Sequence, residues 1–484
     1  MTQNIAIIGS GFLGLTLALR LAERGDNVTL FESANEIGGL ASAWEIGDVT
    51  WDKHYHVTLA SDANTRKIVE ELGLGDEFNW VETKTGFYTD GELVSMSDTK
   101  EFLSFPPLGL ISKLRLGGTI FWASRVKNWR KLETIPVEKW LIKLSGKHTF
   151  EKIWKPLLKA KLGEAYKDVS AAFIWATIQR MYAARNSGLK KEMFGYVRGG
   201  YARVLERFGE VLIEKGVEIR LNSKVDEVEK LPNGKLQVHT AATRRRTDKK
   251  GRLYPQKAKY ARVQPAVAIA GFSGGFLSEP ALPAYRRTQG ESNAFDKVIL
   301  TCPSNVAAKM APQLSAAEKQ GLENIRYQGI VCASVLMKCS LSKYYVTNIT
   351  DEAPFTGVIE MSALVDKKEF GRNALIYLPK YVAPDDELFD KSDEDIERIF
   401  LAGLEKMYTH FRRKDVLAFN VSRVRKVFPL PVLNYSPNLP PVKTSIDGLF
   451  VINSSHIVNG TLNVNETVQL AEGFVSHELH KSHK

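Results

Sequence analysis

Hydrophobic positions along the chain switch between a continuous run and a helical period, and the switches mark the elements. "NIAIIG" from Asn4 is an unbroken apolar run, Phe12 to Glu23 carries apolar residues at helical spacing, and "NVTLFE" is a second apolar run. Residues 4 to 32 therefore predict strand, tight turn, helix, strand. After a mixed stretch to about residue 100, the pattern from Phe102 to Asn186 is helical, with Trp122, Trp129, Trp140 and Trp154 set among lysines and arginines. "GYVRGGYARVLERFGEVLIEKG" reads as a loop opening a helix, and "VEIRLNSKVDEVEKL" as paired strands. "KLQVHT", "FDKVILTCP", "GIVCASVLMKCSL" and "GVIEMSALV" predict further strands. "SDEDIERIFLAGLEKMY" is an amphipathic helix with Ser392 or Asp393 as its cap. The segment from Gly448 to His480 reads strand, loop, helix, and no internal repeat is present.

The 484 residues, 44% hydrophobic and 25% charged, suit a globular protein of two intertwined domains. No apolar run reaches the roughly 18 residues of a membrane span, and the glycine-interrupted start does not read as a signal peptide. Three cysteines without a CxxC pair exclude a disulfide framework or zinc site and point to a reducing cytoplasm. The net charge of +11 raises nucleic acid as a partner, but its location argues against that. Residues 241 to 293 hold eleven Lys/Arg against three acids, so this one window supplies +8 of the +11. A basic run confined to one Pro/Gly-containing segment reads as a solvated, flexible insertion interrupting a sheet domain, with a docking patch for an anionic partner as the alternative.

Gly9, Gly11 and Gly14 form G-x-G-x-x-G between the first strand and helix. Gly9 permits the tight turn, Gly11 lets the backbone approach a diphosphate, and Gly14 lets helix and strand pack closely. The diphosphate then lies on the helix N-terminus, where free N–H groups and the dipole favour an anion. Glu32, ending the second strand, can accept hydrogen bonds from both ribose hydroxyls and would repel a 2′-phosphate, so NADP is disfavoured. A second pair, Gly38 and Gly39, follows six residues after the acid. A plain nicotinamide site does not need it.

With both glycine motifs in place, the chain resembles the FAD-dependent superfamily of amine oxidases, protoporphyrinogen oxidases and phytoene desaturases. UDP-galactopyranose mutase and the Rab GDP-dissociation inhibitors are more distant relatives. The resemblance is strong over 4–60 and 445–480, recognisable at 195–230 and 295–303, and diffuse elsewhere. It implies an α/β fold in which a Rossmann-like FAD-binding domain of the GR2 type is interleaved with a mixed-sheet substrate domain and a helical subdomain. The implied division is 1–100 for the first part of the FAD domain and the start of the substrate domain, and 101–190 for the helical cap. Residues 195–240 and 294–303 return to the FAD domain around the insertion, 304–440 form the substrate domain, and 441–484 complete the FAD domain. The resemblance further implies noncovalent FAD, since no cysteine follows Cys339 to form a C-terminal link. Phe12, Leu13, Ser33, Leu40, Ala41 and Cys302 join the glycines and Glu32 as implied cofactor contacts. Val225 matches the residue whose backbone bonds the adenine. Gly199, Gly200 and Tyr201 match the stretch opening the central helix at the substrate side. Asn453 stands where the family usually has the aspartate of a Gly-Asp pair, and an amide there brings no negative charge. Gly460, Thr461 and Leu462 precede a helix expected to start near Asn465 and to point at the flavin's pyrimidine edge.

Hydride chemistry belongs mainly to the cofactor, so no base triad is expected and none is visible. His54 and His56, two apart in an extended stretch, share one side of it and are candidates to meet the flavin or handle a substrate proton; His456 is a third. H-x-H lacks a third metal ligand, and no metal site is expected. The leading reading is an oxidoreductase acting on a small molecule, apolar or ring-shaped, with oxygen or a quinone among the candidate electron acceptors. Two alternatives stay open. One is a nonredox sugar-nucleotide isomerase with an anion site built from Arg180, Arg198 and Arg203. The other is a noncatalytic lipid-binding protein. The aromatic and basic helices of 102–186 also fit peripheral membrane contact by a cytoplasmic protein.

Overall fold

A computed structural model describes residues 2–186, 193–240, 293–458 and 461–479. Its organising element is a five-stranded parallel sheet to which the chain returns several times. The strand order is Glu218–Arg220, Asn27–Phe31 (β2), Asn4–Ile8 (β1), Lys297–Leu300 and Leu449–Val451. β1 is central because its apolar run is buried on both faces, as a covered parallel strand requires. Helix α1 (Phe12–Glu23) packs on this sheet beside the helices Gly200–Glu214 and Val464–Phe474, sharing one core that includes Leu15, Phe208 and Phe474. Arg20 of α1 pairs with Glu472 at 2.7 Å, so the two ends of the chain lie side by side.

A seven-stranded mixed sheet runs in the order Val416–Pro429, Tyr327–Met337, Ala374–Val382, Gly357–Glu360, Val346–Ile349, Thr85–Thr89, Glu92–Ser95. Every position of Tyr327–Met337 is buried. One face of this sheet is covered by the helix Asp393–Met407, and the other packs against Trp51 and Phe370. A helical layer comprising Leu110–Arg125, Val137–Ser145, Lys155–Leu162 and Ala171–Asn186 closes around Phe150, Trp140, Trp154 and Trp175.

Several sequence expectations are corrected in detail. The two halves of "VEIRLNSKVDEVEKL" do not pair with each other. Glu218–Arg220 adds to β2, whereas Val225–Lys230 joins an antiparallel sheet with Leu236–Thr240 and Asn293–Phe295. The positive φ of 53° at Asn222 turns the chain between them. Residues before Gly199 form a strand, Met193–Val197, rather than a loop. "GVIEMSALV" stops being a strand at Glu360. Ser392 is the cap of the helix Asp393–Met407, its side chain accepting from the Asp395 amide. The basic window joins two neighbouring strands, since Val238 pairs with Asn293. Residues 241–292 themselves lie outside the described residues.

Candidate functional site: a dinucleotide cradle at the sheet edge

The glycines of the first motif do different physical work. An added Cβ on Gly14 would stand 1.9 Å from the Gly9 carbonyl oxygen, so this glycine exists for helix–strand packing. Gly9 has φ +110°, a conformation side chains rarely adopt. A Cβ on Gly11 would meet nothing within 4 Å, so the space beside it is open. Gly11 is also the N-cap of α1, with no side-chain cap and no acid in the first turn. Phe12 and Leu13 follow it, buried. The first-turn amides are therefore left for an anion.

Gly38 lies directly against this motif. Its amide donates to the Ser10 carbonyl at 2.9 Å, and Gly11 and Gly38 form a parallel bridge. Gly39, at φ +57°, packs so closely that an added Cβ would be 3.2 Å from Gly11 Cα. The turn continues through Leu40 and Ala41. Both glycine motifs thus form one wall-and-floor arrangement.

The Glu32 carboxylate accepts from the Ser10 amide (2.9 Å), the Ser10 hydroxyl (2.7 Å), the Ser33 hydroxyl (3.1 Å) and the Ala34 amide (2.8 Å). Those bonds fix it at the end of β2 beside the cradle. The Glu32 backbone carbonyl accepts from Ser223, and that of Ala34 from Asn222, which brings the Val225 strand to the acid's edge of the cradle. Ser10 was not singled out in the sequence, because its role depends on Glu32 returning beside it.

At the C-terminal side of the site, Asn453 is held by the protein itself. Its amide nitrogen donates to the Cys302 carbonyl at 2.8 Å, and its oxygen accepts the Ser455 amide at 2.9 Å. Cys302 supplies its carbonyl here; burial pushes its thiol up to about 12. His456 is held between Asn453 and the Pro440 carbonyl, and burial lowers its pKa. Thr461 accepts from Asn463 at 2.6 Å, and Leu462 packs toward the helical layer. Gly460 lies outside the described residues. The final helix is Val464–Phe474, and its cap is Asn463, whose side chain accepts from the Glu466 amide. Its start is one residue earlier than expected, because that Asn side chain closes the first turn.

His54 and His56 do not share an environment, contrary to the extended-strand expectation; the chain bends at Lys53 and His54. His54 Nδ1 sits 3.2 Å from the Leu40 carbonyl, and Nε2 sits 3.1 Å from the Ser422 hydroxyl. The carbonyl can only accept, so Nδ1 carries the proton and Nε2 accepts from Ser422. This ring ties the second glycine turn to the edge strand of the large sheet. Burial first, then the nearby His56, lowers its pKa to about 4. His56 lies beside Tyr201 (5.1 Å between ring centroids, the planes tilted by 58°) with Nδ1 3.7 Å from buried Asp52. Burial raises the Asp52 pKa, while His56 and the Tyr201 amide lower it. Gly199 and Gly200 both have positive φ, and the Tyr201 amide donates to Asp52 at 2.8 Å. Tyr201 also packs edge-on against Phe12, 5.4 Å between centroids. Asp52 escaped the sequence reading, because its hydrogen-bond donor, the Tyr201 amide, is 149 residues away.

A folded-state imidazole with a depressed pKa binds its proton later than the unfolded chain does. Stability contributed by neutral His54 is present above about pH 6.5 and is lost as pH falls toward about 4. A melting series should therefore show His54→Gln losing less stability than wild type over that window, by up to about 3 kcal/mol. Parallel curves for the two proteins would contradict this.

Open space at Gly11, an uncapped α1, the fixed carboxylate and the second glycine turn together fit an extended dinucleotide. Fold and cradle define an α/β dinucleotide-binding protein. Residues 14–252 and 284–462 match the family of flavin containing amine oxidoreductases, and the chain belongs to that family. A solved structure of a putative protoporphyrinogen oxidase from Exiguobacterium sp. 255-15 is similar over 99% of both chains, with TM-score 0.69 and 18% identity. Among curated proteins, zeta-carotene desaturase of Synechocystis sp. is 24% identical over 262 residues, covering 49% of this chain and 53% of that one. The 15-cis-phytoene desaturase of Narcissus pseudonarcissus is 29% identical over 127 residues, covering 26% and 22%. The chain thus spans about half or less of the curated relatives it matches. The flavin that the family carries and the dinucleotide cradle agree on FAD as the cofactor. Among the described residues no cluster of His, Cys, Asp and Glu could hold a metal ion.

Proposed function

We propose that this chain is an FAD-dependent oxidoreductase that removes a hydride from a C–H or C–N centre of an organic substrate. The observation that carries the reading is the His54–Tyr55–His56 segment. It follows the hairpin of Ala43–Ile46 and Val49–Asp52 and is tied to the second glycine turn at Leu40 and to the large mixed sheet at Ser422. When bound, the flavin supplies the hydride acceptor, and electrons pass on to oxygen, a quinone or another acceptor. The protein's part is positional. Gly11, Gly38 and the α1 amides would hold the diphosphate and Glu32 the ribose, while His54 fixes the turn carrying Leu40. Anaerobic addition of substrates from an amine, carotenoid and porphyrinogen panel should bleach the flavin without added reductant. A protein turning over substrate only after chemical reduction of its flavin would instead favour the isomerase reading. That reading has weaker support, because Arg180 is bonded to Asp62 at 2.8 Å and Arg203 to Glu206 and Glu77.

No helix among the described residues is long and apolar enough to cross a membrane. Six of the eight exposed large apolar side chains among the described residues nevertheless fall on two neighbouring helices, Leu103 on Thr99–Ser104 and Leu110, Ile111, Leu114, Phe121 and Trp122 on Leu110–Arg125. Their spacing makes one stripe, with Leu116, Thr119 and Ala123 buried on the other side. Residues 99–131 contain seven Lys/Arg and one acid, which complements anionic lipid headgroups. We read this stripe as a peripheral membrane contact. Ile111→Glu/Trp122→Glu should weaken co-sedimentation with phosphatidylglycerol vesicles by at least about tenfold. Wild-type protein remaining in the supernatant would refute the contact.

A further inference from the structure

Lys161 has an environment that the reading above does not use. It lies near the end of the helix Lys155–Leu162, where the helical layer meets the large sheet. Its Nζ stands 3.7 Å from the centroid of the Tyr381 ring and 5.2 Å from that of Phe428. No carboxylate among the described residues lies within ion-pair distance of it, and burial alone lowers its pKa, to about 7. The acids nearest in sequence are engaged elsewhere: Glu164 with Lys159 and Lys167, and Glu151 with Lys155. Facing Lys161 from the sheet is Tyr381, whose hydroxyl shares a 2.9 Å hydrogen bond with that of Tyr55. Both phenols are pushed upward by burial, Tyr55 to about 12, so they are neutral at working pH. Lys380, next to Tyr381, donates to the Ala353 carbonyl instead. The strand Val346–Ile349 packed on the same helix carries no titratable side chain.

Two hydroxyls sharing one hydrogen bond use one of their two protons, which leaves one O–H of the pair to donate elsewhere, and the Lys161 amine sits on the Tyr381 ring with no carboxylate beside it among the described residues. A lone cation against aromatic faces is stabilised by a fraction of what a carboxylate would supply. Phe428 belongs to an apolar cluster that also holds Val427, Leu157 and Leu462. Tyr55 is also the neighbour of His54, the residue gripping the second glycine turn, and Lys161, Tyr381 and Tyr55 each keep part of their surface exposed.

We propose that Lys161, with the Tyr381–Tyr55 hydroxyl pair, binds the carboxylate of an otherwise apolar substrate. The inference rests on the oxidoreductase reading for calling the ligand a substrate, but the binding site stands on its own geometry. An arriving carboxylate restores the ionised amine, so at pH 8 binding takes up a proton.

Isothermal titration of the purified flavin-containing protein with decanoate at pH 8, in two buffers of different ionisation enthalpy, tests this. Wild type should bind decanoate with uptake approaching one proton. Lys161→Met should weaken decanoate by at least about tenfold while leaving decanol within about twofold. Lys161→Arg should keep decanoate affinity and lose the proton uptake, because arginine is already charged. Equal decanoate affinity in wild type and Lys161→Met, binding without proton uptake, or no decanoate binding overturns the proposal. The visible spectrum of each preparation separates the two readings. Protein that carries flavin but ignores decanoate contradicts only this inference, whereas colourless protein contradicts the oxidoreductase reading.

Discussion

Glu32→Arg should purify without flavin and rebind FAD at least about 100-fold more weakly than wild type. Three effects add. The ribose acceptor disappears, a cation replaces it, and the donors of Ser10, Ser33 and Ala34 lose their common acceptor. Because that last loss also loosens the end of β2, Glu32→Gln is the informative companion. It keeps an acceptor oxygen and the shape while removing the charge, so its affinity should fall between the two. Fluorescence titration of the flavin-stripped proteins measures both. Full flavin occupancy in Glu32→Arg would show that the acid has been assigned wrongly.

The second large effect comes from contrasting two glycines three residues apart. Gly11→Val should fold with a melting temperature close to that of wild-type protein stripped of flavin, yet fail to bind FAD. Its side chain enters space that no protein atom occupies. Gly14→Val should lose about 3 kcal/mol or more of stability, because its Cβ collides with the Gly9 carbonyl and drives α1 away from the sheet. The pair distinguishes a glycine reserved for a ligand from one reserved for packing. If Gly11→Val bound FAD normally, the diphosphate would lie elsewhere. If Gly14→Val were as stable as wild type, the close approach of α1 would be unimportant.

How far the sequence was legible follows from the range of the interaction involved. The glycine motifs were readable because backbone conformation and close approach are imposed within a few residues. The final helix and its neighbourhood were readable for the same reason, with the start misplaced only because capping by Asn463 is a side-chain choice. His54 was legible as a residue near the cofactor loop but not in its bonding. One of its partners is 14 residues away and the other 368. Asn453 was likewise legible as a position in the C-terminal loop but not in its bond to Cys302, 151 residues earlier. Lys161 gave no signal at all. A lysine in a lysine-rich helix becomes unusual only when Tyr381 and Phe428 arrive from two strands of another layer. Strands were recognised as strands, but not which sheet each would join. The division of "VEIRLNSKVDEVEKL" between two sheets turns on one left-handed residue, Asn222.

The direct test of the whole account is the cofactor content of the freshly purified chain, read from its visible spectrum and from the mass of whatever acid precipitation releases. The account predicts a yellow protein that gives up one intact FAD per chain and leaves an unmodified polypeptide. A colourless protein, release of FMN alone, or flavin retained on the precipitated chain would contradict it.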